Sequence, residues 1–407
     1  MKIKIKNIYY YCLFIWLMAC YAMKTGFSGI NLHIIGITYR AITWACIFLI
    51  IFRWLKYVND GLITTKCFFL QSTILAISFL SYFKSGRDEL LLAMIFIVGA
   101  INTERDKVFR IAYRASMLGT LIVTGCYLSG IINSSVTNSL RDGVNVARYS
   151  MGFSHPNAFA AIVLQITVLY LYFNYKKVKT GSLLLCVGVN YLSYRITYSR
   201  TSFTLAILFL IIVFCYKNSS IMRIEKIWNW IVNNITKILL FVGLVGSVYV
   251  AVNYKQNLWF FNFLSNGDTL QTRVRLMGQA LEIYPITLLG QVVNTIKSSE
   301  YSFALGNGVV LDNAYVFSLL AYGILPTIIL VVLYYRTLQK EYYSKNILFI
   351  ISAVIFIILG FSEKYFMSPM YNFTLLGLSE TFYQFDSQDK SCNIKVIQNR
   401  GDRNEIC

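Results

Sequence analysis

A short polar segment near the middle of the chain combines residue types that can bind an anion and transfer a proton. It reads Arg148-Tyr-Ser-Met-Gly-Phe-Ser-His155-Pro156-Asn157 and directly precedes an apolar run. Proline is favoured in the first turn of a helix, so Pro156 predicts a helix start. The free N–H groups of a helix N-terminus attract anions, and a neutral imidazole can accept a proton from a hydroxyl group. Arg148 and His155 are therefore candidate functional residues, with simple capping of the helix as the alternative role of His155.

Arginine also recurs in segments that the topology described below places on the same side of the chain. That side carries eight arginines against five lysines. The arginines are Arg40, Arg87, Arg141, Arg148, Arg195, Arg200, Arg273 and Arg275. The planar guanidinium group binds phosphate oxygens in pairs and stays charged, whereas lysine offers a point charge. The pattern predicts a phosphate-bearing ligand, with pairing to neighbouring acids or to lipid phosphates as the alternative.

Several common catalytic motifs are missing from the sequence. It contains no P-loop, no GxGxxG and no Asp-x-Asp. Its two histidines do not form an HExxH motif, which leaves little basis for a zinc site. We therefore predict no metal and no cofactor, and consider ATP-driven transport and metal-dependent sugar-nucleotide chemistry poor fits.

The elements that must position these residues are membrane-spanning helices. Of the 407 residues, 57% are hydrophobic and only 14% are charged, yet the net charge is +19. Soluble domains are about a quarter charged. Apolar length together with excess positive charge is typical of a polytopic membrane protein and not of a nucleic-acid-binding protein. We predict an all-α integral membrane helix bundle that forms a single domain over residues 1–407.

Hydropathy and charge also predict the topology. Apolar runs near the length of a membrane span, about 17 to 25 residues, suggest about twelve spans. They lie near 7–23, 30–52, 67–83, 89–101, 111–132, 156–175, 181–198, 202–216, 238–252, 313–335, 347–361 and 367–385. Lysine and arginine accumulate in alternate loops, which places both termini in the cytoplasm and the protein in the cytoplasmic membrane. Two longer loops, 133–155 and 253–312, are then external, and apolar spacing in the second predicts a helix from Thr272 that ends near Pro285.

Four polar segments between residues 140 and 325 follow one another on this external side. They are the 148–157 segment, Thr197-Tyr-Ser-Arg-Thr-Ser202, Thr272-Arg-Val-Arg-Leu-Met-Gly-Gln-Ala-Leu281, and Leu311-Asp-Asn-Ala-Tyr315 leading to Tyr322-Gly323. Their order and composition resemble the Wzy-type O-antigen and capsule repeat-unit polymerases. Arg141 and Gly152 also fit an Arg-x10-Gly pattern of the loops in that family. The N-terminal third is similar to the family in hydropathy alone.

The resemblance implies a GT-C-like bundle of about twelve helices that acts on lipid-linked glycans without metal or nucleotide. The donor would be a growing glycan on undecaprenyl pyrophosphate, and the acceptor a newly flipped lipid-linked repeat unit. The acceptor hydroxyl would attack the anomeric carbon of the donor and release the lipid pyrophosphate. The product would be O-antigen, capsule or exopolysaccharide. Membrane lipids, a flippase and a chain-length regulator of the same pathway are the implied partners, and no nucleic acid is.

The resemblance also implies roles for the candidate residues. The arginines expected to hold pyrophosphate are Arg148, Arg200, Arg273 and Arg275, with Arg195 and Arg141 behind them. Fixed positive charge suits a leaving pyrophosphate, because it stabilises the charge that develops there. For the general base, His155 is the leading candidate. Asp312 and Glu363 are its rivals, because both lie at the outer ends of predicted spans.

Other functions stay open at this point. An O-antigen ligase shares the architecture but typically carries a histidine late in its large external loop, and 253–312 contains none. A lipid-linked-oligosaccharide flippase or another transporter would distribute its charges along a cavity through both leaflets, whereas the arginine excess here is external. A regulatory membrane protein without enzymatic activity is a further alternative.

Overall fold

The structure, a computed structural model, describes residues 5–141, 144–218, 234, 238–255, 268–296 and 308–382. Within these ranges the chain is mostly helical. The helices are α1 (Ile5–Met23), α2 (Leu32–Asn59), α3 (Thr65–Ser85), α4 (Glu89–Gly99), α5 (Arg105–Leu128), α6 (Pro156–Asn174), α7 (Thr180–Thr197), α8 (Arg200–Lys217), α9 (Ile238–Val252), α10 (Asp268–Ile283), α11 (Ala314–Ala321), α12 (Ile324–Tyr343) and α13 (Ile347–Leu359). Short 3-10 helices cover Gly26–Gly29, Lys364–Met367 and Phe373–Ser379.

Many of these helices have the length and composition of membrane spans. Among the described residues, five helices are long and apolar enough to cross a membrane, namely α2, α3, α5, α6 and α8. Helices α4, α9 and α13 are apolar but shorter. This agrees with the expectation of a mostly helical membrane protein, and the count of twelve spans stays a prediction.

The predicted external loop 133–155 contains a β-hairpin. Strand β1 (Val136–Arg141) pairs antiparallel with β2 (Val144–Tyr149), so that Thr137 lies opposite Arg148. In the described part of the chain this hairpin is the only sheet. It connects α5 to α6, and we call this end of the bundle the hairpin end. At the opposite end, which we call the Lys6 end, Lys6 of α1 forms an ion pair with Glu104 just before α5.

Helix α4 is short and ends inside the protein, so its last carbonyl groups need partners there. Arg53 of α2 supplies them. Its Nη1 donates to the Gly99 carbonyl at 2.5 Å and its Nη2 to the Ile101 carbonyl at 2.8 Å. The side chain is 0% exposed, and its guanidinium packs on the ring of Tyr57. The predicted span 30–52 ended just before Arg53, whereas α2 continues through it to Asn59, because both terminal nitrogens of the guanidinium find hydrogen-bond acceptors within the bundle.

The predicted span 313–335 is divided into α11 and α12. The break falls at Gly323, whose φ of +94° favours glycine. Part of the predicted loop 253–312 packs against this break. There Ile324 and Leu325 donate their N–H groups to the carbonyls of Thr287 and Leu288 at 3.0 and 3.1 Å. Residues 256–267 and 297–307 of that loop lie outside the described part. The helix predicted within the loop is α10, which begins earlier, at Asp268, and ends before Pro285 as expected.

The last predicted span, 367–385, is not a regular spanning helix over the residues that the structure describes. Up to Ser379 it consists of turns and 3-10 helices buried among the other helices, and residues 380–382 are helical. Gln165 of α6 donates to the Met370 carbonyl at 2.7 Å and accepts from the Phe373 N–H at 2.9 Å. Irregular backbone is tolerated at membrane depth where protein satisfies its polar groups. The prediction was wrong because hydropathy alone does not distinguish a buried irregular segment from a helix, and residues 383–385 lie outside the described part.

Candidate functional site

The 148–157 segment is fixed by a tight turn in front of α6. Gly152, with φ +87°, accepts from the Gly26 N–H at 2.7 Å and donates its own N–H to Ser134 Oγ at 3.0 Å. His155 is the N-cap of α6, since its Nδ1 accepts from the Asn157 N–H at 3.1 Å. A neutral imidazole has one nitrogen with a free lone pair. In this geometry that nitrogen is Nδ1, so Nε2 carries the hydrogen and His155 presents a donor on its other side.

Asn157, in the first turn of α6, connects two charged side chains. Its Oδ1 accepts from Arg148 Nη2 at 2.5 Å, and its Nδ2 donates to Glu363 Oε1 at 2.7 Å. Arg148 Nε also donates to the Thr197 carbonyl, the last residue of α7, at 2.8 Å. Arg148 is only 7% exposed. Its guanidinium therefore ties β2, α6 and α7 together.

Glu363 lies where α13 turns into the 3-10 helix Lys364–Met367, and only 4% of it is exposed. Arg273 of α10 approaches it, with Nη2 3.3 Å from Oε1. Burial raises the pKa of Glu363 to about 7, while Arg273 acts in the opposite direction and Asp312 adds to the increase. A carboxyl group with this pKa exchanges protons near neutral pH, which is the property of a general base. We call Arg148, Asn157, Glu363 and Arg273 the Glu363 network.

Asp312 is placed beside this network by its neighbour Asn313. The Asn313 side chain donates to the Phe361 carbonyl at 3.0 Å and accepts from the N–H groups of Tyr315 and Val316, which caps α11. Asp312 is half-buried and acts electrostatically on both Glu363 and Lys364. It forms no hydrogen bond or ion pair with any residue that the structure describes.

The structure brings five of the nine candidate residues into or beside the Glu363 network. They are Arg148, His155, Arg273, Asp312 and Glu363. These residues come from β2, the start of α6, α10, the start of α11 and the end of α13. Side chains more than two hundred positions apart in the chain, such as Asn157 and Glu363, are thus in direct contact.

The remaining candidates lie elsewhere on this end. Arg195, Arg200 and Arg275 are exposed. Arg195 Nη1 contacts the Tyr191 hydroxyl of its own helix at 3.5 Å. Arg141 is the last residue of β1, and its side chain lies outside the described part. The arginines expected to act together therefore differ in burial, and Arg273 is the one that touches the buried carboxylate.

Three residues of this region were not predicted as site residues: Asn157, Arg87 and Lys364. Arg87 Nη2 donates to the Val293 carbonyl at 2.8 Å and to Thr295 Oγ1 at 3.1 Å. Arg87 and Lys364 both lie against the ring of Phe317, 5.1 and 5.9 Å from its centroid. A sequence signal existed for two of them. Asn157 is a polar residue at the start of an apolar helix, and Lys364 directly follows Glu363 in an otherwise apolar stretch of the sequence.

No protein-family model matches the chain, and neither does any curated protein. Among the described residues, no group of three or more His, Cys, Asp or Glu side chains is arranged to hold a metal ion. Fold and site together define a mostly helical protein with apolar helices of membrane-spanning length and a buried carboxylate, Glu363, beside Arg273 at the hairpin end.

Proposed function

We propose that this protein is a Wzy-type polysaccharide polymerase, built as a GT-C-like bundle of about twelve spans with both termini in the cytoplasm. It joins undecaprenyl-pyrophosphate-linked repeat units at the outer face of the cytoplasmic membrane. The supporting observation is the Glu363 network itself. All four segments that resemble the family contribute to it or lie beside it, through Arg148, the Thr197 carbonyl, Arg273 and Asp312.

Glu363 is the general base in this proposal. Asn157 and Arg273 both contact its Oε1, which leaves Oε2 for the acceptor. The proton of the acceptor hydroxyl passes to Glu363 while the hydroxyl oxygen attacks the anomeric carbon of the donor. The bond between that carbon and the pyrophosphate oxygen breaks, and its electron pair leaves with the lipid pyrophosphate. His155, the leading candidate from the sequence, serves as a helix cap instead, because its Nδ1 lone pair is already used.

Arg273 stabilises the leaving pyrophosphate. Its contact with Glu363 uses Nη2 alone, and its side chain is 23% exposed. The rest of the guanidinium fork is therefore open to phosphate oxygens, which arginine binds in pairs. Arg275, two residues further along α10, and Arg200, the first residue of α8, extend the positive surface. Arg148 acts through Asn157, because its Nε and Nη2 already donate within the protein.

A deletion and complementation experiment tests this function. Cells that lack the protein are expected to display single repeat units in place of long chains on gels of surface polysaccharide, and the wild-type gene is expected to restore the long chains. Loss of even the single unit would favour a flippase and contradict the proposal. An unattached long polymer would favour a ligase.

A further inference from the structure

The charged groups near Glu363 form two sets that differ in sign and in balance, and we call these sets its two sides. On the Asn157 side the charged neighbours are Arg148 and Arg273, both positive. On the other side, acids and bases are mixed. That group consists of Lys24, Arg87, Asp88, Glu89, Asp312 and Lys364, which act on one another electrostatically. With three acids and three bases it has no net charge, and the negative carboxylate of Glu363 adjoins it.

Within the mixed side, Lys364 and Asp312 have capacity for further hydrogen bonds. Lys364 is half-buried against Phe317, and burial lowers the pKa of its amine. Neither Lys364 nor Asp312 forms a hydrogen bond or an ion pair with a described residue. A half-buried donor and a half-buried acceptor that influence each other electrostatically and bond to no described residue can both bind a ligand that supplies the complementary groups.

A second phosphate group is a poor ligand for the mixed side. An anion placed there would gain from Lys364 and Arg87 but be repelled by Asp312, Glu89 and Glu363, and this repulsion is strong where burial lowers the dielectric. A neutral polyol fits better, because each hydroxyl group donates one hydrogen bond and accepts others. Sugar hydroxyls can accept from the Lys364 ammonium and donate to the Asp312 carboxylate.

We propose that Lys364 and Asp312 bind the hydroxyl groups of the acceptor sugar, and that the donor pyrophosphate lies on the opposite side of Glu363, against Arg273. This inference rests on the proposed function and assigns the acceptor and the donor to different sides of Glu363. The acceptor enters from the Phe317 side and presents one hydroxyl group to Glu363 Oε2. Lys364 and Asp312 then contribute to the selectivity for the acceptor sugar. Arg273 binds the pyrophosphate and so does not distinguish between donors that carry it.

Two small probes separate the two sides in the purified full-length protein. One is inorganic pyrophosphate. The other is the lipid-free repeat-unit oligosaccharide, released by mild acid hydrolysis from lipid extracts of cells that lack this protein. A ligand that binds the folded state raises the melting temperature, and at a fixed ligand concentration the increase is larger for tighter binding. The variants are Lys364→Met, Asp312→Asn and Arg273→Gln, and Lys84→Met replaces an exposed lysine at the same end as a control.

The expected result is a crossed pattern. The oligosaccharide should stabilise wild type, Lys84→Met and Arg273→Gln, and should bind at least about tenfold more weakly to Lys364→Met and Asp312→Asn, as is usual for lost hydrogen bonds to charged groups. Pyrophosphate should stabilise every variant except Arg273→Gln. Loss of the pyrophosphate effect in Lys364→Met, or unchanged oligosaccharide binding in both Lys364→Met and Asp312→Asn, would overturn the inference.

This experiment also separates the inference from the proposed function. If wild-type protein extends lipid-linked repeat units but the four variants bind the oligosaccharide equally, the acceptor assignment fails and the polymerase survives. If wild-type protein does not extend them, the proposed function fails, and the inference fails with it. Asp312→Asn keeps the side-chain volume, so it remains informative if Lys364→Met folds poorly.

Discussion

The two ends of the helix bundle differ in how completely their charged side chains are paired. At the Lys6 end the most buried carboxylates, Glu341 and Glu380, have close partners. Arg105 Nη1 and Asn346 Nδ2 each lie 2.5 Å from a carboxylate oxygen of Glu341, and Lys340 lies 2.6 Å from Glu380. These pairs connect α5, α12 and the segment after α13. Each pair offsets part of the hydration free energy that a charge loses when it lies among apolar helices.

At the hairpin end the charges are only partly satisfied. Arg273 makes a single, longer contact of 3.3 Å with Glu363, and Asp312 and Lys364 bond to no described residue. Paired charges have little capacity left for a ligand, whereas neighbouring charges that lack protein partners can bind an incoming polar ligand. The difference supports the hairpin end as the location of the site in the proposed function.

The largest expected effect comes from Glu363→Gln. This change keeps the shape and the hydrogen bond from Asn157 but removes the base. A general base typically contributes about 10² to 10⁴ in rate, so chain extension should fall by a factor in that range. The matched control is Glu380→Gln at the Lys6 end, which should retain chain extension. The measurement is the rate of polymer formation at equal protein levels, and similar rates for both variants would contradict the assignment.

A second comparison uses two arginines with opposite environments. Arg273→Met should lower chain extension by about 10²-fold, the scale of one lost charge-stabilising donor, with little change in melting temperature. Arg53→Met should instead destabilise the protein, because the buried carbonyls of Gly99 and Ile101 lose their donor at about 1–3 kcal/mol each. Thermal unfolding and activity measured on both variants test this. A stable Arg53→Met protein, or an unfolded Arg273→Met protein, would remove the distinction between the two ends.

The pH dependence should report on the same carboxyl group. Burial raises the pKa of Glu363 from 4.5 to about 7, and a base is active only when deprotonated, so activity should rise with pH through about 7. Arg273 favours the charged form, so Arg273→Met should move this rise to higher pH. In the folded protein a raised carboxyl pKa adds stability below the unfolded pKa, and that stability is lost as pH rises through the folded pKa. The melting temperature of Glu363→Gln relative to wild type should therefore increase from about pH 5 to about pH 8. A flat profile would argue against an ionising Glu363.

The smallest effect is expected for His155→Asn. Asparagine is among the best N-cap residues, so it should replace the contact from His155 Nδ1 to the Asn157 N–H and lower activity by less than about threefold. His155→Leu removes the cap and should cost about 0.5–2 kcal/mol of stability. If His155→Asn lost as much activity as Glu363→Gln, the histidine and not the glutamate would be the base.

Hydropathy predicts the simple helices well. The predicted spans 156–175 and 347–361 correspond closely to α6 (Pro156–Asn174) and α13 (Ile347–Leu359). Apolar length and polar or proline residues at the ends are local properties, so they are visible in the sequence. The sequence also contains a local signal for the hairpin. This is the Asp142-Gly143 pair, a residue pair that favours the tight turn between two antiparallel strands.

Other features depend on distant contacts and could not be predicted in this way. The break at Gly323 is stabilised by carbonyl groups of Thr287 and Leu288, and the turns after Glu363 by Gln165 of α6. The site shows the same limit. Residue type suggested His155, but only the fold reveals that its lone pair is used in a cap and that Asn157 meets Glu363.

The irregular segment that follows Glu363 bears on how the protein is made. Because Gln165 and Asn372 satisfy its backbone in place of helical hydrogen bonds, residues 364–382 cannot enter the bilayer as an independent helix. They must wait until α6 has been inserted and then fold against it. Glu363 thus reaches Asn157 at a late stage of assembly. In a nascent chain that has inserted only its earlier helices, the contact between Asn157 and Glu363 is still missing, and it forms only when this segment has packed against α6.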